Sequence, residues 1–430
     1  MLLLMNHSIS CCCCCVMAGS QWNYLPSVII FQIFKNLQPQ DRLRASATCK
    51  SWRQCIYQNH VWPSQKVVVN VNKEFKYLYH SRRHHHHTNT NIKDLDYEKK
   101  TLKLFISKCG RFIQDLKFIF NPSCSFNVNL LIDLINLLSF NTNNDNNNNG
   151  YVNCQRLSRI TFEPTTSLVG SQTHNYVLMA RLLSSIEILI SRCQSLEHIS
   201  LGCLQQLLNH SPSLLTILAQ YHCNSIKCIY LASIKEDPDY YPVLELPSRL
   251  FEPFLKLQVL TIDFDNVTDD LLQCLSMKGT LKKLIINVHG IDEQHQGVSK
   301  SSWSQLARSN PGLEVTVNLV HTDDSVETLK DMIFDTDMPL THFRAYYAGM
   351  SNLGEEICDL MNLIAIRHSL TLLSATLVHY LKQFTSMPNT VFATSQENPL
   401  VMLAWRCKKL QHLTVIGMLF LTIILFNFIN

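Results

Sequence analysis

The sequence is poor in glycine, with 12 glycines among 430 residues. Loops that cradle phosphate depend on closely spaced glycines, and neither a G-x-x-x-x-G-K-[ST] loop nor a G-x-G-x-x-G turn is present. The H-E-x-x-H zinc motif and the G-x-S-x-G nucleophile elbow are also absent. The sequence therefore gives no support to the enzyme classes that depend on these motifs, and we predict a non-catalytic protein.

Charged residues are also scarce, at 16% of the chain with a formal net charge of +4. Nucleic-acid-binding proteins normally carry a concentrated basic stripe, which this sequence lacks. The apolar content of 46% is high enough for an ordered core and argues against a disordered chain. We therefore predict a folded protein that does not bind nucleic acid.

The 17 cysteines lack the paired spacing of a disulfide scaffold, and no C-x-x-C pair stands near a second one. Buried free thiols in a reducing compartment explain them better, which favours a cytoplasmic or nuclear location. The run His84–His87 offers imidazoles, but adjacent residues in a polar loop lack the fixed geometry of a metal site. We expect neither a metal nor another cofactor.

Long apolar runs are confined to the C-terminal end, where Leu413 to Ile429 is almost unbroken. A membrane span needs about 20 such residues, so this run is short. Lys408 and Lys409 would suit the cytoplasmic flank of a tail anchor. The preferred interpretation is a repeat strand over Leu410–Val415, followed by the end of a truncated repeat. A membrane contact is expected only through this tail.

The N-terminal residues 1–20 begin with an apolar stretch, Met1–Met5, that lacks a basic flank and is interrupted at Asn6. This pattern argues against a signal peptide. The run Cys11–Cys15 is a setting for palmitoylation. We prefer an unstructured extension, with the folded region beginning after Met17 and translation starting at either Met1 or Met17.

Residues 25–62 have the pattern of three short helices. Pro26 and Ser27 open the first helix, in which Ile29, Ile30, Ile33, Phe34 and Leu37 recur at helical spacing. We predict that Pro39 ends this helix, that Asp41 caps the second helix, and that Thr48 caps the third. A module this small cannot enclose much core, so the apolar stripe indicates a docking face for another protein.

The same segment resembles an F-box. The resemblance rests on Leu25-Pro26, on Ile33-Phe34 with Leu37 three residues on, on Asp41-Arg42-Leu43, on the run from Cys49 to Arg53, and on the closing Trp62. It implies binding to the Skp adaptor, which links the module to a cullin scaffold. The residues that the resemblance assigns to the adaptor surface are Leu25, Pro26, Ile29, Ile30, Phe34, Leu37 and Leu43. It assigns Cys49 and Trp52 to holding the helices together and completing that surface. Val28 departs from the family, many of whose members have an acidic residue there.

A short phrase recurs after Trp62: an apolar residue, two variable residues, a second apolar residue, one variable residue and a third apolar residue. Its clearest copies begin at Ile113, Leu157, Leu196, Ile226, Leu257 and Leu281. Weaker copies begin near Leu340 and at Leu410, and a strand over Val315–Leu319 breaks the phrase. The spacing near 30 residues is typical of leucine-rich repeats, with one strand and a helical return per repeat. Tyr176–Ile190 and Thr268–Leu275 have the helical spacing of such returns.

The predicted fold class is α/β, a three-helix F-box module followed by an irregular leucine-rich-repeat-like solenoid. The predicted segments are an extension at 1–20, the F-box at 21–64, the solenoid at 65–416 with polar insertions at 81–91 and 141–150, and an apolar tail at 417–430. The segment 397–410, with residues 41–53, resembles one group of F-box proteins whose members continue beyond this chain's end. We therefore expect a truncated product.

The variable strand residues point to a substrate surface, because they alternate with the core residues. The candidate residues are Asp115, Lys117, Arg159, His198, Ser200, Tyr230, Thr261, Asp263, Lys283 and Asn287. The leading hypothesis is a substrate-recognition adaptor that presents an unidentified target protein to a ubiquitin ligase. The alternative is a repeat scaffold without a ligase role, in which the three helices act only as an N-terminal cap and the tail provides a membrane anchor.

Overall fold

The computed structural model describes most of the predicted module and repeats. The described residues are 21–37, 39–56, 61, 65–71, 99–100, 102–103, 105–107, 110–140, 154–165, 176–201, 210–232, 246–289, 295–320, 332–347, 353–379 and 399–416. The predicted extension at 1–20, the insertions at 81–91 and 141–150 and the apolar tail at 417–430 lie outside these residues.

Helices and parallel strands alternate along most of the described chain. The helices are α1 (Ser27–Asn36), α2 (Pro39–Ser46), α3 (Lys50–Ile56), α4 (Ser125–Ser139), α5 (Tyr176–Arg192), α6 (Ser211–His222), α7 (Asp269–Ser276), α8 (Lys300–Ser309), α9 (Leu353–Arg367) and α10 (Pro399–Arg406). The strands are β1 (Gln65–Asn70), β2 (Ile113–Phe120), β3 (Arg159–Pro164), β4 (His198–Ser200), β5 (Cys228–Tyr230), β6 (Val259–Asp263), β7 (Lys283–Val288), β8 (Glu314–Val320), β9 (Leu340–Tyr347), β10 (Ser374–His379) and β11 (His412–Ile416). The predicted fold class is confirmed: a helical module precedes a repeat-like α/β region.

The chain forms two compact units, unit 1 (Met1–Leu196) and unit 2 (Glu197–Asn430). In unit 1, β2 pairs in parallel with both β1 and β3. In unit 2, each strand from β4 to β11 pairs in parallel with the next one along the chain. Parallel neighbours in chain order require a crossover between every pair of strands, and most crossovers contain a helix.

The recurring phrase marks the core side of the strands. Leu257, Leu260 and Ile262 are almost completely buried, and the last two lie in β6. The return predicted at Thr268–Leu275 is α7, in which the Thr268 hydroxyl accepts a hydrogen bond from the Leu271 N–H at 3.2 Å. In most of the described strands the apolar side chains on one side are therefore buried, as the spacing predicted. The exception is β11, in which Leu413 is 36% exposed.

The position three residues before the phrase is also buried in several repeats. Asn310 occupies it before Leu313, and its side-chain oxygen accepts a hydrogen bond from the Leu281 N–H at 2.8 Å, one repeat earlier. Its amide group donates to the Leu306 carbonyl at 3.0 Å. Cys154, Cys193 and Cys407 occupy the equivalent positions before Leu157, Leu196 and Leu410, and all three are buried. In these four repeats the position therefore brings an amide or thiol group into the interior.

His368 is a buried titratable group next to the C-terminal end of α9. Its ring lies 6.3 Å from the Phe334 ring, measured between centroids, and the residue is 1% exposed. Burial, helped by the neighbouring Arg367 cation, lowers the pKa of His368 from 6.5 to about 4. The imidazole is therefore neutral in the folded protein at physiological pH.

This burial predicts an acid-sensitive fold. Because the folded pKa lies below the unfolded value, the contribution of His368 to stability is complete above about pH 6.5 and is lost as the pH falls towards 4. Its part of the unfolding free energy should fall by about 2 kcal/mol between about pH 7.5 and pH 5. His368→Leu should remove that part of the pH dependence in urea unfolding. The exposed His412, changed to Leu, is the control; an equal effect of both substitutions would contradict the assignment.

Candidate protein-docking site

The first helix of the module begins where its sequence predicts. Pro26 precedes α1, and its carbonyl accepts hydrogen bonds from the N–H groups of Ile29 and Ile30 at 2.9 and 3.2 Å. The helix ends at Asn36 because Leu37 adopts extended backbone angles (φ −85°, ψ 147°).

Three predictions about the helix boundaries are wrong. Pro39 does not end α1 but begins α2, since a proline is accommodated at the first position of a helix. Asp41 consequently lies in the first turn of α2 and is not its cap. Thr48 does not cap α3, because α3 begins at Lys50 and Cys49 is the residue directly before it. The Thr48 hydroxyl instead donates to the Ala45 carbonyl at 2.7 Å.

The inner side of α1 supplies the core of the module. Ile30 and Phe34 are completely buried. The other buried members of this cluster are Cys55, Ile56, Val61 and Phe112, and the half-buried Leu25 and Leu37 pack against it. The assignment of Ile30 and Phe34 to the adaptor surface is therefore corrected: both side chains face the protein's own core, since the module needs them to pack its helices together.

The outer side of α1 remains accessible. Val28 is 63% exposed and Ile29 is 46% exposed, and Pro26 is exposed as well. Tyr24, in the short 3-10 turn before α1, is 83% exposed. We call Val28 and Ile29 the outer ridge. Of the residues predicted to contact the adaptor, Pro26 and Ile29 lie on the surface, whereas the side chain of Leu43 lies outside the described residues.

Trp52 joins α3 to the other parts of the module. Its ring lies edge-on to Phe34, with 5.6 Å between the ring centroids. Its indole N–H donates to the Trp22 carbonyl at 3.0 Å. Cys49, the other residue expected to hold the helices together, is half-buried just before α3. Trp52 therefore fixes the segment before α1 against α3.

Arg42 is a structural residue that the sequence reasoning did not single out. Its guanidinium donates to the carbonyls of Leu37 and Val61, both at 2.8 Å, and to that of Lys35 at 3.2 Å. The residue is 7% exposed. It therefore satisfies carbonyls at the end of α1 and joins them to the segment after α3. The Asp41-Arg42-Leu43 motif was visible, but nothing local indicated which carbonyls the arginine would reach.

The F-box-like family matches residues 22–65, the same stretch that contains these three helices. The chain carries an F-box-like domain. The predicted resemblance is thereby confirmed. Domains of this kind in general bind a Skp-type adaptor, and the proteins that contain them are generally non-catalytic subunits of ubiquitin ligases.

Two relatives extend the similarity beyond the F-box-like domain. F-box only protein 33 of Homo sapiens is 22% identical over 442 residues, covering 91% of this chain and 71% of the relative. F-box only protein 33 of Mus musculus is 22% identical over 448 residues, with the same coverage of both chains. The repeat-like region is therefore included in the similarity.

In unit 1, candidate substrate residues that follow the F-box-like domain form ion pairs across neighbouring strands. Asp115 stands opposite Arg159 in the register of β2 and β3, with 3.7 Å between their charged groups. Lys117 on β2 pairs with Glu163 on β3. The Arg159 side chain is 58% exposed, so this surface combines paired charges with accessible ones. We call the side of the strands opposite the core the open face.

In unit 2, the other candidates also occupy the open face. Ser200, Tyr230 and Thr261 stand side by side in the register of β4, β5 and β6. The His198 and Tyr230 rings lie 4.9 Å apart between centroids. Desolvation raises the pKa of the Tyr230 hydroxyl. These residues form one row across neighbouring repeats.

The next strands of unit 2 carry charges and amides on the same face. Lys283 pairs with Glu314 at 2.8 Å, and its side chain is 53% exposed. The Asn287 oxygen accepts a hydrogen bond from the Asn318 amide at 2.8 Å. Asp263 stands opposite Asn287 in the register and lies 3.7 Å from the buried His289.

Two of these candidates need correction as direct substrate contacts. Thr261 and Asn287 are each only 8% exposed. Such small accessible areas leave little side chain for a ligand to contact. Lys283 and Arg159 keep the accessibility that substrate binding requires.

Within the described part of the chain, no group of three or more His, Cys, Asp or Glu side chains is arranged to hold a metal ion. The run His84–His87 lies outside that part. None of the described helices is long and apolar enough to cross a membrane.

Arg42 provides a direct test of how the F-box-like domain is held together. Arg42→Lys should destabilise the domain by about 2 kcal/mol, because a single ammonium group cannot reach all three carbonyls. Hydrogen exchange of the amides in residues 27–56 of the full chain should show the loss as faster exchange. Arg53→Lys, on the exposed side of α3, is the matched control. Unchanged protection in Arg42→Lys would show that the carbonyl contacts contribute little.

Proposed function

We propose that the chain is a substrate-recognition subunit of a Skp–cullin–F-box type ubiquitin ligase. The observation that carries this proposal is the outer ridge of α1. Its two apolar side chains remain exposed, as do Trp22 and Tyr24 before the helix, whereas Ile30 and Phe34 pack inwards. Exposed apolar side chains on a short helix suit a groove in a partner protein. A Skp adaptor joined to a cullin scaffold is the partner that the F-box-like domain favours.

The repeat-like region supplies the second half of the proposed role. We propose that the open face of unit 2 holds a target protein, with Lys283, Tyr230 and His198 as the residues that reach it. The chain then acts without chemistry of its own, since holding a target near the transfer site raises its effective concentration. The similarity to F-box only protein 33 over 91% of the chain supports a shared arrangement of the two parts.

A second function is favoured by one observation. Phe112, just before β2, is a buried member of the same cluster as Ile30 and Phe34, and Phe105 packs against that cluster. The three helices therefore cover the beginning of the repeat-like region, as the N-terminal cap of a scaffold would. The two roles use opposite sides of α1, so one helix can serve both.

The proposed location is the cytoplasm or the nucleus. All nine cysteines that the structure describes as thiols are free, which suits a reducing compartment. A membrane anchor in the tail at 417–430 is the less favoured alternative.

The outer ridge makes the ligase role testable with single substitutions. Ile29→Glu should weaken binding of a purified Skp adaptor by at least about thirtyfold, because it places a charge in an apolar contact. Isothermal titration with the full chain measures the affinity, and thermal unfolding of the same sample shows whether the fold is intact.

Gln54→Glu, on the exposed side of α3, is the matched control within the same domain. It introduces the same charge away from the outer ridge and should leave binding intact. Equal affinity of Ile29→Glu and the unchanged chain would contradict the ligase role. A stable chain that never binds the adaptor would favour the scaffold.

A further inference from the structure

Two cysteines in unit 1 come together from the ends of different segments. Cys154 begins the turn before β3, and Cys193 directly follows α5. Both occupy the interior position three residues before the recurring phrase, one repeat apart. Cys154 is fully buried and Cys193 is 6% exposed. The fold therefore places two thiols at equivalent positions of successive repeats.

Backbone hydrogen bonds hold both cysteines in place. The Cys154 carbonyl accepts from the Leu157 N–H at 3.1 Å. The Cys193 N–H donates to the Leu189 carbonyl at 3.1 Å and, more weakly, to that of Ile190 at 3.3 Å. The backbone of each cysteine is therefore held by its own segment, and the side chains of the two residues share a hydrogen bond.

The two thiols share a hydrogen bond and are not equivalent. The hydrogen bond from Cys193, assisted by the Arg192 cation, lowers the pKa of Cys154 despite its burial. The same bond and burial raise the pKa of Cys193 well above its usual range. Cys154 is therefore the more nucleophilic sulfur, and Cys193 keeps its proton beside it.

We propose that Cys154 and Cys193 form a redox-active pair that a hydroperoxide converts to a disulfide. The Cys154 thiolate attacks one peroxide oxygen, the O–O bond breaks, and a sulfenic acid forms with release of water or an alcohol. The Cys193 sulfur then attacks the Cys154 sulfur, and the sulfenic hydroxyl leaves as water. The thiols lose two electrons and two protons, and the peroxide is reduced by two electrons.

The disulfide would tie the C-terminal end of α5 to the turn before β3. Sulfur atoms that already share a hydrogen bond need only a small movement to reach the S–S length of about 2.05 Å. Peroxide reaches Cys154 when the turn opens locally, so oxidation proceeds through a minor open state. The modification acts on the repeat-like region and does not depend on the ligase role.

Cys407 is the matched control. It occupies the same position before Leu410, is 2% exposed, and burial raises the pKa of its thiol to about 11. No second thiol is among the groups that shift its pKa. If burial in this repeat position alone governed oxidation, Cys407 would react in the same way as Cys154.

The test treats the reduced full chain with a small molar excess of hydrogen peroxide and then blocks remaining thiols with N-ethylmaleimide. Peptide mapping without reduction should find one cross-linked species that joins the Cys154 and Cys193 peptides and that dithiothreitol separates. Cys154→Ser and Cys193→Ser should each abolish it, whereas Cys407→Ser should retain it. The oxidised chain should also unfold at a higher temperature than the reduced chain.

Absence of the cross-link in the unchanged chain would overturn the proposal, whatever the variants do. A cross-link that joins either cysteine to a different partner would overturn it as well. Because the first measurement uses the unchanged chain, a folding defect in a serine variant cannot decide the outcome.

Discussion

The fold begins with a module that is too small to enclose its own core. Three helices of 10, 8 and 7 residues cannot surround a hydrophobic cluster, so the cluster is completed from outside by Val61 and Phe112. This shared core ties the F-box-like domain to the start of the repeat-like region. It also determines which side of α1 is free. Ile30 and Phe34 are buried inside, whereas the outer ridge stays exposed.

The same constraint explains why polar contacts matter inside the module. With little apolar area to bury, the module relies on Arg42, whose guanidinium joins three backbone carbonyls. Trp52 combines both kinds of interaction, since its ring contacts Phe34 and its N–H reaches Trp22. Hydrogen bonds from buried or half-buried side chains to the backbone thus compensate for a small core and orient α1.

A single repeat of the repeat-like region is also too small to enclose a core, and its core is completed by the neighbouring repeats. Most of the described strands bury one side, and each strand is hydrogen-bonded to the strand of a neighbouring repeat. A single repeat could not complete this core by itself. Interior polar groups are then shared between repeats, as Asn310 shares its oxygen with Leu281. In the Cys154–Cys193 contact, two thiols that share a hydrogen bond take the place of the amide.

Local spacing in the sequence determined where most helices and strands lie. The stripe on α1, the phrase around Leu257 and the return at α7 were all visible, because helical and strand periodicity repeats within a few residues. The spacing did not predict β1 or β10. In β10, the small residue Ala375 occupies a core position of the phrase, and β1 lies outside the phrase. The F-box motif also indicated the docking function of the first three helices.

Only the tertiary structure decided which apolar residues of α1 face inwards, since Ile29 and Ile30 differ by one position in the same stripe. It also decided that Arg42 reaches Val61, 19 residues away, and that Cys154 meets Cys193 one repeat later. The near-complete burial of Thr261 and Asn287 was likewise visible only in the tertiary structure. These features depend on contacts between segments that are distant in the chain, and a local pattern carries no information about its partner.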